Sequence, residues 1–254
     1  AKDWGGLKGI NILDQVDLYL LNVPIVKYFE ETSKRLGSLG YRVYGAPYDF
    51  RRILEPQYLH TFVPKLEKLI EEAGGHTILM SHSLGGPVTS YFLNQQSKQW
   101  KKTHIDRFIG VSAPMGGATE ALTACLTGMT EGIPVSKAFM RSIEKRYAGI
   151  LWMINEPVTW RHLPVINGSG SEDIPEFLGY AGQSQMADLW NTYIRSIWKK
   201  TVRDPGVDIY LVHGSDVKTL FSLEYPQTGI HDYNFNKPRE IYEHEGDGTV
   251  PGVS

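Results

Sequence analysis

Cysteine is nearly absent from this chain of 254 residues, in which Cys125 is the only one. A disulfide within the chain is therefore excluded, because that bond needs two cysteines. The cellular compartment stays open on this ground, since secreted proteins of this size need no disulfide. The sequence has no Cys/His spacing typical of a metal site and no glycine-rich phosphate loop. We therefore expect neither a metal ion nor a cofactor.

Long apolar runs and blocks of a single charge are lacking as well. No run of about 18 apolar residues occurs, so the sequence predicts no membrane-spanning helix. The net charge of -2, without a basic block, argues against nucleic acid as a partner. The first residues do not have the pattern of a signal peptide. One N-glycosylation triplet, Asn167-Gly168-Ser169, nevertheless favours the secretory route.

Helical and extended patterns alternate over the first half of the chain. Alternation of this kind is typical of a mostly parallel sheet covered by helices on both faces. The composition, 41% hydrophobic and 21% charged, is that of an ordinary globular protein. The predicted helices cover residues 24–39, 59–72, 87–93 and 183–200, and the predicted strands cover residues 41–44, 76–80, 108–112 and 207–212.

This rhythm is lost between residues 128 and 181, where prolines, glycines and scattered aromatic residues replace a clean period. A stretch of this length is best explained as an insertion that forms a cap or lid over the site. We therefore expect a first part of the core over residues 1–127, a cap over 128–181 and a second part of the core over 182–254. From residue 214 onwards the sequence is polar and predicts loops.

The pentapeptide Ser81-His82-Ser83-Leu84-Gly85 carries the strongest chemical signal. It follows a strand pattern and precedes a helical one. A strand, a tight turn with serine at its tip and a helix form the nucleophile elbow of α/β-hydrolases. The turn is sharp, so the residues two before and two after the nucleophile must be small. Ser81 and Gly85 meet this condition, although glycine is usual at the first position.

A serine nucleophile requires further groups around it. Its hydroxyl needs a base within hydrogen-bond reach, and the base needs a carboxylate that orients it. Backbone N–H groups must hold the developing oxyanion, and one of them belongs to the residue after the nucleophile, here Leu84. In this fold the triad runs in the order serine, acid, histidine.

Two aspartates compete for the role of the acid. Asp216 comes soon after the predicted strand at 207–212, and Asp247 lies in a glycine-rich turn. His231 and His244 follow Asp216, whereas no histidine follows Asp247. The residues by themselves leave both assignments open.

Four motifs occur in a fixed order along the chain: GAPYDFRR at residues 45–52, SHSLG at 81–85, SAPMGG at 112–117 and GDGTV at 246–250. Together they resemble the lecithin:cholesterol acyltransferase family, which includes lysosomal phospholipase A and related plant and protozoan phospholipases. The likeness covers most of the chain. It implies an α/β-hydrolase core with a mostly parallel sheet and an irregular cap.

The resemblance implies that Ser83 is the nucleophile, that Asp247 is the triad acid and that the Leu84 N–H is an oxyanion donor. It implies a phospholipase A or acyltransferase that acts on glycerophospholipids through an acyl-enzyme, at a membrane or lipoprotein surface. The expected location is the secretory pathway, with a secreted or a lysosome- or vacuole-like destination.

In the family, further segments precede and follow the stretch that matches this chain, and the catalytic histidine lies after the GDGTV turn. We therefore expect N- and C-terminal parts of the fold to lie outside this sequence. The histidine would then be carried by another fragment of the same precursor.

Two alternatives remain. The first is a general carboxylesterase or lipase with an internal triad of Ser83, Asp216 and His244, or His231 in place of His244. The second is a non-catalytic lipid-binding relative that kept the pocket and lost the base.

Overall fold

A computed structural model describes residues 4–7, 10, 15–18, 21–24, 29–130 and 134–254. The chain divides into two compact units. One comprises residues 1–49 and 61–69, and the other comprises residues 50–60 and 70–254.

The first unit holds an antiparallel hairpin and a helix. Strands β1 (Gln15–Leu18) and β2 (Leu21–Pro24) pair with each other, and helix α1 covers Glu30–Ser38. The rings of Trp4 and Tyr48 pack edge-on against Phe62, with centroids 5.8 and 5.6 Å away. Aromatic packing therefore organises the core of this unit.

The second unit carries the parallel sheet and most of the helices. Helix α2 (Pro56–Ala73) contributes residues to both units. The following elements are β3 (Thr77–His82), α3 (Gly85–Gln95), α4 (Lys98–His104), β4 (Ile105–Val111), α5 (Thr119–Leu126), α6 (Lys137–Glu144), a 3₁₀ helix (Ala148–Met153), another (Ser171–Asp173), α7 (Ile174–Tyr180), α8 (Ser184–Leu189), a π-helical turn (Trp190–Ile194), α9 (Arg195–Thr201) and β5 (Asp208–Val212).

Strands β3, β4 and β5 form a parallel sheet in that order. This confirms the predicted mostly parallel sheet and the α/β-hydrolase-like fold. The strands run in one direction because helical crossovers connect them, which is the connection that parallel strands require. Their carboxyl ends therefore meet at one edge of the sheet.

The sheet is less covered than we expected. In the described part of the chain, β5 is exposed along its whole length, with Leu211 and Val212 each 53% exposed. Strand β3 also presents exposed side chains at Ile78 and Met80. A parallel strand is normally buried on both faces, so the exposure of β5 departs from the prediction.

The prediction of loops after residue 214 is wrong. Strands β6 (Val217–Glu224) and β9 (Arg239–Gly246) form an antiparallel ribbon, and β7 (Gln227–Gly229) and β8 (Asp232–Tyr233) form a short hairpin between them. The ribbon is half polar because one face is exposed, and register shifts interrupt its pairing. Both features hide a strand pattern in the sequence.

Two other predictions fail in the first third of the chain. No strand forms at residues 41–44, where the described contact is an isolated bridge between Gly5 and Gly45. An extended segment becomes a strand only where a neighbour pairs with it. Pro24 ends strand β2 and does not begin a helix, while residues 25–28 of that predicted helix lie outside the described residues. Helix α2 begins at Pro56, before the predicted residue 59, with proline at a favourable first-turn position.

The region predicted as a cap is made of turns and short helices. Its indoles anchor it, because Trp152 and Trp160 are fully buried. The predicted helix over 183–200 is confirmed as α8, the π-helical turn and α9, and Trp190 and Ile197 of this helix lie in the core. Within the described residues, no helix combines the length and apolar character needed to cross a membrane.

Replacing Gly86 by alanine should destabilise the fold, because a Cβ at this position would lie 2.3 Å from the Cβ of Ala113. Overpacking of this kind costs about 1–3 kcal/mol, which urea unfolding can measure. Gly179→Ala is a matched control. Gly179 lies in α7 with no atom within 4 Å of an added Cβ, so alanine there should be neutral or slightly stabilising. Equal stability of Gly86→Ala and the parent would contradict this packing.

Candidate functional site

Ser83 stands at the turn between β3 and α3, as the sequence predicts. Its φ of 51° lies in the left-handed region, which is uncommon for a residue with a side chain. Two backbone hydrogen bonds hold the turn: Ser83 N–H donates to Val111 O at 3.0 Å, and Gly86 N–H donates to Ser83 O at 2.8 Å. The serine hydroxyl is half-buried and takes no hydrogen-bond partner among the described residues. Strain of this kind is found at functional sites.

Leu84 lies at the N-terminal end of helix α3, which begins at Gly85. The first N–H groups of a helix lack partners within the helix, and the helix dipole favours negative charge there. Among the described residues the Leu84 N–H has no backbone acceptor, and the side chain is buried. The Leu84 N–H can therefore donate to an oxygen beside Ser83.

Three polar residues follow the three strands of the parallel sheet. Ser83 follows β3, Ser112 follows β4 and His213 follows β5. Ser112 also has a left-handed backbone, with φ of 43°, and its N–H donates to Val212 O at 2.8 Å. Ser83 and His213 therefore lie two strand spacings apart, roughly 10 Å.

Asp247 joins the same sheet edge from the β6–β9 ribbon. A Cβ added to Gly214, the second residue after β5, would lie 3.1 Å from the Cβ of Asp247. The Asp247 carboxylate is oriented by its own turn, since Oδ1 accepts the N–H groups of Thr249 at 2.9 Å and Val250 at 2.7 Å. Oδ2 takes no part in these turn bonds and can receive another donor.

The side-chain hydroxyl of Thr219 supports the Asp247 turn. This threonine lies on β6 and is fully buried. Its Oγ1 accepts the Gly248 N–H at 2.8 Å and donates to Val217 O at 2.9 Å. A Cβ at Gly246 would lie 2.3 Å from the same Oγ1, so the turn packs directly on the hydroxyl.

A cavity of about 180 Å³ opens beside Asp247. Its polar lining comes from Ser112, His213, Asp247 and Ser254, and its apolar lining includes Leu211. Ser83 is not part of this lining, so the cavity lies next to the Ser83 turn and not directly over it. His213 is exposed, and its Nδ1 lies 3.1 Å from Gly214 O.

The other candidate residues are distributed along the β6–β9 ribbon. Asp216 is exposed with φ of 60°, and its Oδ2 accepts from Ser215 Oγ at 3.1 Å. His244 is an exposed residue of β9, close in register to the Asp216 end of β6. His231 lies beyond the other end of β6, which has eight residues and spans roughly 25 Å, and its ring stacks on Tyr180 at 5.0 Å. The ribbon therefore separates Asp216 from His231.

Both burial and the negative charge of Asp247 affect the pKa of His82. Burial lowers the pKa of His82 below its ordinary value of 6.5, and the Asp247 carboxylate opposes part of this shift. His82 is half-buried beside Ser83.

Gly116 connects the loop after β4 to two other segments. Its carbonyl accepts from Trp160 Nε1 at 2.9 Å and from Glu156 N–H at 2.8 Å, and its N–H donates to Ser254 Oγ at 3.0 Å. A Cβ at Gly116 would lie 2.6 Å from Thr159. The close contact requires glycine and brings residues 155–160 next to the site.

Residues 3–178 match the model of the lecithin:cholesterol acyltransferase family. The chain belongs to this family. It is 29% identical to the phosphatidylcholine-sterol acyltransferase of Papio anubis, in a match that covers 91% of the chain and 54% of the relative. It is 28% identical to the lecithin-cholesterol acyltransferase-like 1 protein of Arabidopsis thaliana, over 82% of the chain and 51% of the relative.

A third relative is the lysosomal phospholipase A and acyltransferase of Rattus norvegicus, which is 28% identical over 88% of the chain and 55% of its own length. The chain spans about half the length of these curated relatives. Among solved structures, a chain from the Tle4–Tli4 complex matches with a TM-score of 0.50 at 13% identity, covering 96% of this chain and 60% of that one. This likeness bears on the fold alone.

Sequence reasoning missed two polar residues of this lecithin:cholesterol acyltransferase family chain. Ser112 and His213 line the cavity beside Asp247. Ser112 opens the SAPMGG motif, but neither residue has a catalytic role assigned from the sequence. A usable signal was available, because each residue directly follows a predicted parallel strand and must therefore lie at the same edge as Ser83.

Replacing Thr219 by valine should lower the free energy of unfolding by about 1 kcal/mol, because the partly buried Gly248 N–H loses its acceptor. Thr219→Ser is the matched control, since it keeps the hydroxyl and should cost less. Urea unfolding of both variants measures the difference. If Thr219→Val were as stable as Thr219→Ser, the hydroxyl would not be what supports the Asp247 turn.

The folded protein should lose stability as the pH falls through the His82 titration. Burial lowers the pKa of His82 in the folded state, so the unfolded state binds the proton more tightly below about pH 6.5. His82→Asn should therefore reduce the drop in unfolding free energy between about pH 7.5 and about pH 5.5. His244→Asn, at an exposed position, controls for the loss of an imidazole. Parallel pH curves for His82→Asn and the parent would refute this role.

Proposed function

We propose that this chain belongs to a serine-dependent phospholipid acyl hydrolase or acyltransferase that works through an acyl-enzyme. The observation that carries the proposal is the left-handed turn at Ser83, which presents its hydroxyl beside the Leu84 N–H with no hydrogen-bond partner among the described residues. The names of the relatives, phosphatidylcholine-sterol acyltransferase and lysosomal phospholipase A and acyltransferase, supply the substrate class, a glycerophospholipid.

In the proposed mechanism, Ser83 Oγ attacks the ester carbonyl while a histidine takes the hydroxyl proton. The Leu84 N–H donates to the oxyanion, which stabilises the charge that forms in the transition state. The tetrahedral intermediate then expels the lysophospholipid alcohol, which leaves with the proton from the histidine. Water or a lipid alcohol attacks the acyl-enzyme next, and the same groups act in reverse.

Asp247 is the acid of the proposed triad. It lies at the sheet edge of Ser83, and backbone N–H groups hold one of its oxygens, so that the carboxylate is oriented before a substrate binds. The roughly 10 Å across the end of β4 leaves room for an imidazole between the serine and the carboxylate. Asp216, by contrast, is exposed and is bonded by the adjacent Ser215.

The histidine of the proposed triad comes from a further part of the same precursor. Of the described histidines, His231 stacks on Tyr180 far along the ribbon and His82 supports the turn. His213 is the second candidate, because it lines the cavity next to Asp247. His213 precedes Asp247 in the chain, whereas the histidine follows the acid in the order usual for this fold.

We also propose that residues 128–181 form the cap between the two parts of the core, residues 1–127 and 182–254. The protein would then meet its lipid at a membrane or lipoprotein surface, within the secretory pathway. The Asn167 amide forms hydrogen bonds in both directions with the Tyr225 backbone, at 3.0 and 2.7 Å. A glycan on this nitrogen would leave one hydrogen for Tyr225 O.

Labelling with a fluorophosphonate probe tests the nucleophile and the acid together. We expect labelling on Ser83, its complete loss in Ser83→Ala and a loss of about three to four orders of magnitude in Asp247→Asn. The side-chain oxygen of the introduced asparagine still accepts the two turn N–H groups, so the fold of this variant should survive. The labelling rate is measured on the protein with all of its polypeptides identified by intact mass.

Asp216→Asn is the control for Asp247→Asn. A loss of labelling in Asp216→Asn alone would overturn the assignment and favour the internal triad with His244. Loss of labelling in His213→Ala would assign the catalytic base to His213 of this chain. Absence of labelling on Ser83 in every preparation would overturn the enzyme proposal and favour a non-catalytic lipid-binding relative.

A further inference from the structure

Residues 156–163, which we name the rim turn, form a turn beside the site with one buried and one exposed side. Trp160 is fully buried, whereas Val158 is 69% exposed. Arg161 and His162 are exposed as well. Trp160 N–H donates to Glu156 O at 3.0 Å, as in a helical turn, so residues three and four apart face the same way. Val158, Arg161 and His162 therefore share the exposed side.

Hydrogen bonds and ring packing hold the buried side of the rim turn in place. Trp160 Nε1 donates to Gly116 O at 2.9 Å, and the Trp160 ring packs on Phe221 at 5.1 Å. The buried Glu156 carboxylate accepts from Thr159 N–H at 2.7 Å and from Thr159 Oγ1 at 2.9 Å. The exposure of Val158 is thus a property of a firmly packed turn, and little ordering is needed when it binds a surface.

The rim turn lies a few contacts from the nucleophile. Thr159 touches Gly116, and the neighbouring Met115 Sδ would lie 3.4 Å from a Cβ at Gly86. The Gly86 N–H in turn donates to the Ser83 carbonyl. The turn that carries Val158 therefore packs on the same loop that contacts the start of helix α3 beside Ser83.

The chemistry of the exposed side fits a lipid–water interface. An apolar tip can enter the boundary of the acyl chains, while an adjacent guanidinium remains among the headgroups. No carboxylate in the described part of the chain forms an ion pair with Arg161, so its charge is available to a phosphate. Attraction of this kind between Arg and anionic headgroups adds to the apolar term.

We propose that the rim turn docks this protein on a phospholipid bilayer, with Val158 in the acyl boundary and Arg161 on a headgroup phosphate. The proposal rests on the proposed function for the identity of the surface, a phospholipid membrane. It adds the part of the molecule that makes the contact.

A second exposed apolar tip makes the test decisive. Ile230, between β7 and β8, is 89% exposed. It lies beyond the end of β6 that is distant from Asp247, so a membrane bound there would not meet the site. Ile230→Asp is thus matched to Val158→Asp in chemistry and in exposure.

The experiment measures cosedimentation of the Ser83→Ala protein with phosphatidylcholine vesicles, which removes turnover from the measurement. Val158→Asp should weaken binding about tenfold, as expected for one valine withdrawn from an apolar phase, and Val158→Leu should strengthen it. Arg161→Gln should weaken binding about fivefold on vesicles that also contain phosphatidylglycerol. Ile230→Asp should bind as the parent does.

Unchanged binding of Val158→Asp would overturn the proposal, as would a loss confined to Ile230→Asp, which would point to the hairpin. Absence of vesicle binding by the parent would overturn it too. Near-ultraviolet circular dichroism checks that each variant is folded. The labelling of Ser83 is a separate result, so a failure of the enzyme proposal would show there while the vesicle data still decide the docking surface.

Discussion

The close approach of helix α3 to the loop after β4 is the contact on which the site depends. A Cβ at Gly86 would overlap with Ala113, so only glycine lets the helix begin this near the loop. That position sets the sharp turn at Ser83, whose backbone is left-handed and bonded to the end of β4. The same loop continues to Gly116, which binds the rim turn. One short contact thus links Ser83, the sheet and the adjacent surface.

The orientation of Asp247 has a different origin. Its carboxylate is held by N–H groups of its own turn, and the turn is supported by the buried hydroxyl of Thr219. These bonds form at the end of an antiparallel ribbon, in which β6 pairs with β9 across the short β7–β8 hairpin. The ribbon brings the carboxylate to the second residue after β5, at the carboxyl edge of the parallel sheet. Parallel strands gather such groups because their carboxyl ends lie side by side.

The sequence predicted the elbow at Ser83 correctly because the elbow depends on neighbouring residues. Its predictions were wrong where strand formation depends on pairing with another segment. Strand, turn and helix around Ser83 depend on neighbours in the chain, so the pentapeptide predicted them correctly. The extended residues 41–44 form no strand because strand formation needs a partner. The ribbon after residue 214 was missed since its exposed face is polar and its register shifts. Ser112 and His213 line the cavity because each directly follows a parallel strand and lies at the same edge of the sheet. No single motif predicts this arrangement.

The sequence by itself determined the chemical groups and the short-range geometry: a serine at a tight turn, a backbone N–H at a helix start and two candidate acids. Tertiary structure decided which of these groups meet. Asp247 is separated from Ser83 by most of the chain, and only the pairing of β6 with β9 brings it to the same sheet edge. Likewise, the burial of Trp160 on Gly116 decides that Val158 faces outward, because a turn has no preferred face until something packs beneath it.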